Sequence, residues 1–364
     1  MNGSYICPKC REMLEKDGGS LVCKNKHTYD IAKSGYVNLL LSDQMNTKLP
    51  GDNKLMVNAR RSFLDKGYYK ILMNAFCEAA ASYAPENALV LDCGCGEGYY
   101  TVNMAERLSD AFIMGTDISK TAVDAAAKRA KADGRDNVLF SVSSVFHLPV
   151  ESGSCDMVTT LFAPYCGEEF LRVLKKGGIM IMVIPSERHL IELKEAVYDT
   201  PYLNEVKDFA LDGFTLEEHT EITDNIHLPC TEDILNLFSM TPYYYKTGEE
   251  GHKRLSALNE LDTEIGFEIL IYRKNYKFNF RKFLSAHLHK FQSINFRHIY
   301  IGKYNIHRMI SEKFKGFSPI LYISHYLESI LFPVHNSDQT FSGKFVVIYN
   351  QYFHLSVPPY FLPM

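Results

Sequence analysis

The chain has 364 residues, 46% of them hydrophobic, and a formal net charge of −4, enough apolar material for one large packed domain with attachments. Met1-Asn2-Gly3-Ser4 lacks the basic, apolar, small-residue pattern of a secretory leader, and no stretch reaches about 18 uninterrupted apolar residues, so the expectation is a cytoplasmic protein with no membrane span. Nine cysteines, an odd number, fall either in a paired metal-like pattern or singly among apolar neighbours such as Cys77 and Cys155, unlike a secreted disulfide framework.

The amino-terminal pattern comes first in chain order. Cys7-Pro8-Lys9-Cys10 and Cys23-Lys24-Asn25-Lys26-His27 form C-x2-C-x12-C-x3-H, two knuckles able to place three thiolates and one imidazole tetrahedrally around Zn²⁺. Four protein ligands close the coordination sphere, so the metal is expected to be structural, holding a segment too short to fold alone with about 10–16 kcal/mol of apparent binding energy. Lys9, Arg11, Lys24 and Lys26 surround the knuckles, either as phosphate contacts or as a solvated rim. Tyr36 to Leu40 is expected as a strand or docking segment against the next domain, and Leu49-Pro50-Gly51-Asp52-Asn53 as a turn-rich linker. From Lys54 to Tyr69 the pattern is helical, with Met56, Ala59 and Phe63 on one side and Arg60 and Arg61 exposed, a surface helix or a substrate clamp.

The run Val90-Leu91-Asp92-Cys93-Gly94-Cys95-Gly96-Glu97-Gly98-Tyr99-Tyr100-Thr101 puts three alternating glycines between a short apolar strand and a helix. Glycines there let backbone approach a ligand at the carboxyl edge of a parallel strand. The spacing is G-x-G-x-G, with Asp92 and Glu97 beside it, and not the G-x-G-x-x-G that seats a pyrophosphate. Carboxylates repel phosphate and suit a cofactor bearing an ammonium and a sulfonium, which points to S-adenosyl-L-methionine. Ala111 to Gly115 reads as a second strand, and Asp117, 19 residues after Gly98, is placed to accept ribose hydroxyls. Asp117 and Ser119 compete to cap the helical run from Lys120 to Lys131.

Asp156 is expected to begin another strand in a structural position, and Thr160-Leu161-Phe162-Ala163-Pro164-Tyr165 follows that strand. Residues 274–364 then change character, with 11 Lys+Arg against 3 Asp+Glu and 20 aromatic residues. Basic residues among aromatics resemble an RNA-stacking extension, and the same composition fits translated AT-rich sequence beyond a lost stop. The first 273 residues hold 28 basic against 40 acidic residues, so global charge argues neither for nor against nucleic acid. The apolar stretch from Pro319 to Val334 contains His325 and Glu328 and is not read as a membrane span.

Together the zinc knuckles, Gly35-Tyr36-Val37-Asn38-Leu39-Leu40, Pro50-Gly51-Asp52, Ala59-Arg60-Arg61 with Phe63-Leu64-Asp65, and the glycine loop resemble the RlmA family of 23S ribosomal RNA (guanine-N1) methyltransferases. The match continues through Asp117-Ile118-Ser119-Lys120, Ser143-Ser144, Ala163-Pro164, Leu174-Lys175-Lys176-Gly177-Gly178, Pro185-Ser186-Glu187-Arg188-His189-Leu190 and Met240-Thr241-Pro242, covering roughly residues 5–276. The resemblance implies a zinc-bearing RNA-recognition module on a Rossmann-like α/β class I methyltransferase domain, and a homodimer whose cleft receives a 23S rRNA hairpin near the peptide exit tunnel. Methylation there confers resistance to macrolides such as tylosin in some members. It also implies zinc ligation by Cys7, Cys10, Cys23 and His27, and cofactor contacts by Tyr69, Gly94, Gly96, Gly98, Tyr100, Thr101, Asp117 and His189. Asp92 joins this cofactor set as the acidic flank of the loop.

Guanine N1 carries a proton at neutral pH, so attack on a sulfonium methyl needs a base. The sequence offers Asp156, Glu168, Glu169 and His147 near the cofactor edge, and does not choose among them. Phe162 and Tyr165 are aromatics for an unstacked guanine; core packing competes for Phe162, leaving Tyr165 the better stacking residue. The expected organisation is a zinc module over 1–45, a helical linker over 46–79, the methyltransferase domain over 80–273 and the extension over 274–364. A small-molecule methyltransferase and a non-catalytic RNA-binding protein are the alternative functions. The first is disfavoured because a closed zinc module has little use there, the second because the cofactor loop and Asp117 are intact.

Overall fold

The computed structural model describes residues 5–45, 50–205 and 208–275, together with three strands beyond them. The chain divides into two units, Met1–Phe278 and Asn279–Met364. In the first, β1 (Leu14–Asp17), β2 (Ser20–Cys23) and β3 (Thr28–Asp30) form a small antiparallel sheet. The two-residue strand β4 (Val37–Asn38) leaves that sheet and pairs parallel with a strand of the main domain.

The helices α1 (Lys54–Asp65) and α2 (Lys70–Tyr83) come next. Asn53 caps α1, its side chain accepting from the N–H groups of Leu55 and Met56 at 2.9 and 3.1 Å. The sequence pattern ran this helix on to Tyr69, but it stops at Asp65. Gly67, at φ +84°, turns the chain, its N–H bonding to the Leu64 carbonyl, and Tyr69 sits at the start of α2. Phe63, Leu72 and Phe76 are fully buried, so these helices are a layer of the core and not a spacer.

The main domain alternates β5 (Leu89–Cys93), α3 (Tyr99–Arg107), β6 (Phe112–Asp117), α4 (Lys120–Ala132), β7 (Val138–Val142), β8 (Cys155–Leu161), α5 (Gly167–Val173), β9 (Leu174–Pro185) and α6 (Ile191–Val197). It ends with β10 (Phe214–Leu228), α7 (Thr231–Ser239), α8 (Tyr243–Lys246), α9 (Glu249–Ser256) and β11 (Leu261–Lys274). The eight-stranded sheet has the order β10-β11-β9-β8-β5-β6-β7-β4. Six strands are parallel, and β11 and β10 close one edge antiparallel. Both faces of β5 are covered, as its apolar run Leu89-Val90-Leu91 ahead of the buried Asp92 requires. The chain winds outward from β5 through β6 and β7, then restarts on the other side at β8. Ligands in such sheets bind at that switch point, outside the carboxyl ends of the strands.

Helices α1, α2, α3, α6, α7 and α9 cover one face of the sheet. The other face packs against α5, the 145–150 segment and the amino-terminal module, which contributes Tyr5, Leu14, Val37 and Leu39. Tyr5 donates to the Leu139 carbonyl at 3.2 Å and Arg11 to the Leu148 carbonyl at 3.3 Å. The module is thus part of the domain's hydrophobic interior, and Arg11 works at that junction. Lys24 pairs with Glu12 at 2.8 Å, while Lys9 and Lys26 are exposed.

The second unit contains β12 (Ile330–Pro333), β13 (Phe345–Tyr349) and β14 (Tyr352–His354) in an antiparallel sheet of that order. The other expectations for 274–364 lie outside the described residues. Among the described residues no helix is long and apolar enough to cross a membrane.

Candidate cofactor site and zinc centre

Each zinc knuckle is a tight backbone turn. The Arg11 N–H bonds to the Cys7 carbonyl and the Lys26 N–H to the Cys23 carbonyl, both at 2.8 Å, with Arg11 and Lys26 at φ +63°. The ligand atoms of Cys7, Cys10, Cys23 and His27 all lie within 4.8 Å of one another. Nδ1 of His27 is 3.4 Å from the Cys7 sulfur and 3.5 Å from that of Cys23, and the Cys10 and Cys23 sulfurs are 3.6 Å apart. A tetrahedron with Zn–S near 2.3 Å and Zn–N near 2.0–2.1 Å has edges of about 3.5–3.8 Å. The four residues therefore fit a zinc ion. The Tyr29 hydroxyl, 3.3 Å from the Cys7 sulfur, supplies the outer hydrogen bond that orients a ligating thiolate.

The glycine loop leaves β5 at the switch point. The backbone at Gly94, Gly96 and Gly98 is left-handed, at φ +83°, +54° and +87°. A Cβ on Gly94 would strike the Ala163 methyl, and one on Gly98 would lie 2.8 Å from that of Ala126. Gly96 differs. A Cβ there would meet only the Arg60 guanidinium, at 3.8 Å, so the missing side chain leaves room above the loop. The Thr116 carbonyl accepts from Gly94 and Cys95 at 2.7 and 3.0 Å. The Asp117 carboxylate accepts from the N–H groups of Gly96 and Ser119 at 3.0 and 2.8 Å. Burial raises the Asp117 pKa while these donors oppose the rise, and its oxygens keep lone pairs for further hydroxyl donors. Ser119, and not Asp117, caps α4, accepting from Ala122 at 3.2 Å.

The acidic flank of the loop is spent internally, which corrects the electrostatic argument drawn from sequence. Asp92 is buried and accepts from the hydroxyls of Thr101 and Thr159 at 2.6 and 2.7 Å; burial lifts its pKa to about 6 against those two bonds. Asp92 and Thr101 thereby brace the strand and the helix on either side of the glycines. Glu97 is buried against Arg129, which donates to it at 3.0 and 2.6 Å and pairs with Asp65 at 2.8 Å. Arg60 is half-buried, where the sequence pattern had it exposed: it pairs with Asp52 and donates to the Met240 carbonyl at 3.3 Å.

A second cluster is built by the start of α2, the segment after β9, and β11. The Tyr69 hydroxyl is 3.5 Å from Nε2 of His189, and both rings pack on Phe267 with centroids 4.9 Å away. Nδ1 of His189 accepts from the Gly266 N–H at 3.2 Å, which assigns the ring proton to Nε2. Burial, then the Lys194 ammonium, push the His189 pKa down to about 3, with the Gly266 bond opposing. The buried Tyr100 hydroxyl has no partner among the described residues. Such an orphaned buried group is what a polar ligand would satisfy.

Asp156 is not at this site. It accepts from the Leu89 N–H at 3.0 Å and pairs with Lys175 at 2.7 and 2.8 Å at the amino ends of β5 and β8, about 17 Å along β8 from Leu161. Its weak candidacy as the base is withdrawn. Glu169 is held by Arg172 at 2.6 and 2.8 Å and by the Leu148 N–H at 2.7 Å; burial raises its pKa, and these donors outweigh that and bring it down. Glu168 and His147 are exposed. Tyr165 packs edge-on against Phe170, with centroids 5.6 Å apart.

Phe162, for which the sequence left core packing as the competing role, is not in the core. It follows β8 at φ +54°, a left-handed conformation costly for a bulky residue, and is 47% exposed. Its N–H bonds to the Val183 carbonyl at 3.1 Å and its ring lies 5.8 Å from that of Phe267. The one available signal was an aromatic directly after the strand that borders the switch point.

Residues 5–48 match the family model of the RlmA amino-terminal zinc ribbon, and residues 85–235 match a methyltransferase domain. A 23S rRNA (guanine(748)-N(1))-methyltransferase of Streptomyces fradiae is 36% identical over 196 residues, 52% of this chain and 66% of that protein. A Micromonospora griseorubida protein named for 23S rRNA (guanine-N(1)-)-methyltransferase activity is 31% identical over 206 residues, 51% of this chain and 67% of its own length. The chain belongs to the RlmA family. A Bacillus subtilis protein named for the same activity is 28% identical over 278 residues, 73% of this chain and 96% of that protein. The chain thus spans about two thirds of the two actinobacterial relatives and nearly all of the Bacillus one. The metal of the ribbon is structural zinc and the cofactor of the domain is S-adenosylmethionine.

Proposed function

We propose that this chain transfers a methyl group from S-adenosylmethionine to N1 of a guanine in a 23S rRNA hairpin near the peptide exit tunnel. The observation that carries the reading is the union of the two modules. The ribbon donates β4 to the catalytic sheet and buries Tyr5, Leu14, Val37 and Leu39 against it. A small-molecule enzyme has no use for so large an attachment on its sheet, whereas an RNA enzyme needs surface beyond the target base. The proposed setting is the cytoplasm, the proposed form a homodimer, and macrolide protection the consequence that the family resemblance supplies.

The bound cofactor supplies an electrophilic methyl on a sulfonium. Asp117 would accept ribose hydroxyls, the Gly94–Gly96–Gly98 backbone would admit the cofactor with room above Gly96, and the Tyr100 hydroxyl would gain a partner. Tyr69 and His189 present an O–H and a fixed neutral Nε2–H from an apolar wall that excludes water. Thr101 and Asp92 hold the loop. The guanine N1 proton leaves to a base at the carboxyl edge, for which the exposed Glu168 and His147 are the remaining sequence candidates.

Tritium transfer from labelled S-adenosylmethionine to undermethylated 23S rRNA, followed by primer extension, tests the reading. A single new stop at a hairpin guanine is expected, because N1 methylation blocks pairing. Cofactor and zinc binding without transfer to RNA would overturn it.

A further inference from the structure

We infer that Phe162 is the platform on which the acceptor guanine stacks; this deepens the proposed reaction and rests on it. Two unfavourable features coincide at this residue: a left-handed backbone and a large apolar ring left half in water. The Phe267 ring, 5.8 Å away, still leaves the residue 47% exposed. The backbone is nonetheless fixed on both sides, by the Phe162 N–H bond to Val183 and by the Ala163 methyl seated against Gly94. The ring is therefore held partly in water beside the Phe267 ring that also packs on Tyr69 and His189, one residue before the Ala163 that sits against the glycine loop.

That position matches the task. A guanine taken out of its stack exposes two π-faces and needs a flat apolar surface next to the methyl donor. An aromatic ring provides it without a hydrogen bond, leaving the N1 and O6 edge free. Tyr165, the residue favoured from sequence, is less suited. Its ring rests on Phe170 of α5, and its hydroxyl lies 2.6 Å from where a Cβ on Gly167 would stand, so it fills a gap left by that glycine.

The test uses the full chain with Phe162→Leu and Phe162→Tyr, the undermethylated rRNA, and S-adenosylhomocysteine as the cofactor probe. The Leu variant is expected to bind S-adenosylhomocysteine within twofold of the parent and to lose between about 5- and 150-fold in kcat/KM for RNA, the value of one base–aromatic stack. The Tyr variant should retain the parent rate within about threefold. Separately, the parent is photo-crosslinked to rRNA carrying 6-thioguanosine at the guanine located by primer extension, and the adduct is expected on the peptide containing Phe162. This measurement decides the matter even if the Leu variant fails to fold. An active parent with an equally active Leu variant, or a crosslink confined to Tyr165, overturns the platform alone. A parent that methylates no guanine overturns the platform together with the reaction.

Discussion

The Tyr69 hydroxyl lies 3.5 Å from Nε2 of His189, although 120 residues separate the two in sequence. The strand β11 makes the meeting possible, because Phe267 touches both rings and the Gly266 N–H fixes the imidazole tautomer. His189 is therefore a neutral donor throughout the physiological range, its pKa pressed to about 3 chiefly by burial. As a consequence, His189→Gln should weaken S-adenosylhomocysteine binding, measured by calorimetry, without moving any limb of the methylation pH profile above pH 5. A lost limb near pH 6.5 would identify His189 as the base instead.

The same burial gives a pH signature in stability. His189 has a folded pKa of about 3, below its ordinary 6.5, so its contribution is complete above pH 6.5 and is lost as pH falls. Asp92 has a folded pKa of about 6, above its ordinary 3.8, so its contribution is complete below pH 3.8 and is lost as pH rises toward 6. Between about pH 4 and pH 6 the two slopes oppose each other. Asp92→Asn should uncover the His189 slope, a loss of roughly 1.4 kcal/mol per pH unit relative to the parent as pH falls. Urea unfolding across that range checks it; parallel profiles for parent and variant would refute the offset.

Glu97 and Arg129 form a pair whose rupture leaves a buried charge. Arg129→Met should cost about 3–5 kcal/mol in denaturant unfolding, and adding Glu97→Gln should recover much of it. Additive losses in the double variant would mean that the pair is not coupled.

How much of this was legible in the sequence follows from the range of the interactions. The zinc knuckles are local turns, so the spacing of Cys7, Cys10, Cys23 and His27 encodes them almost completely. The glycine loop, Asp117 and the Ser119 cap are likewise set within a few residues of β5 and β6. Asp156 was read correctly as a strand start, yet only the sheet shows that this end is remote from the chemistry. Arg60 is held by Asp52 and by Met240, the latter 180 residues away, and no helical pattern carries that information. The conformation of Phe162 is likewise tied to groups remote in sequence, the Val183 carbonyl that accepts from its N–H and the Gly94 backbone against which the adjoining Ala163 sits.

Removal of zinc should reach the catalytic domain. The ribbon contributes Tyr5, Leu14, Val37 and Leu39 to the interior of the sheet, each such side chain being worth about 1.5–3 kcal/mol when buried. Chelation, or Cys23→Ser, should lower the melting temperature of the whole first unit and not merely release a flexible end. Hydrogen exchange of β7, which loses its β4 neighbour, should rise in parallel. A melting curve indifferent to chelation, from protein shown to contain one zinc per chain beforehand, would sink the coupling.

Two of the loop glycines, Gly96 and Gly98, should separate by what stands opposite each. Gly98→Ala puts a methyl 2.8 Å from Ala126 and should destabilise the fold through overpacking by about 1–3 kcal/mol, with cofactor affinity falling only as far as the fold does. Gly96→Ala meets only the Arg60 guanidinium, at 3.8 Å, so its structural penalty is confined to the left-handed backbone, about 1–2 kcal/mol. Its new methyl stands in the space assigned to the cofactor. Affinity for S-adenosylhomocysteine should therefore drop by about tenfold or more, the equivalent of 1.4 kcal/mol, in a protein that melts within a few degrees of the parent. If Gly96→Ala bound the cofactor normally while Gly98→Ala did not, the open side of the loop would not be where the cofactor lies.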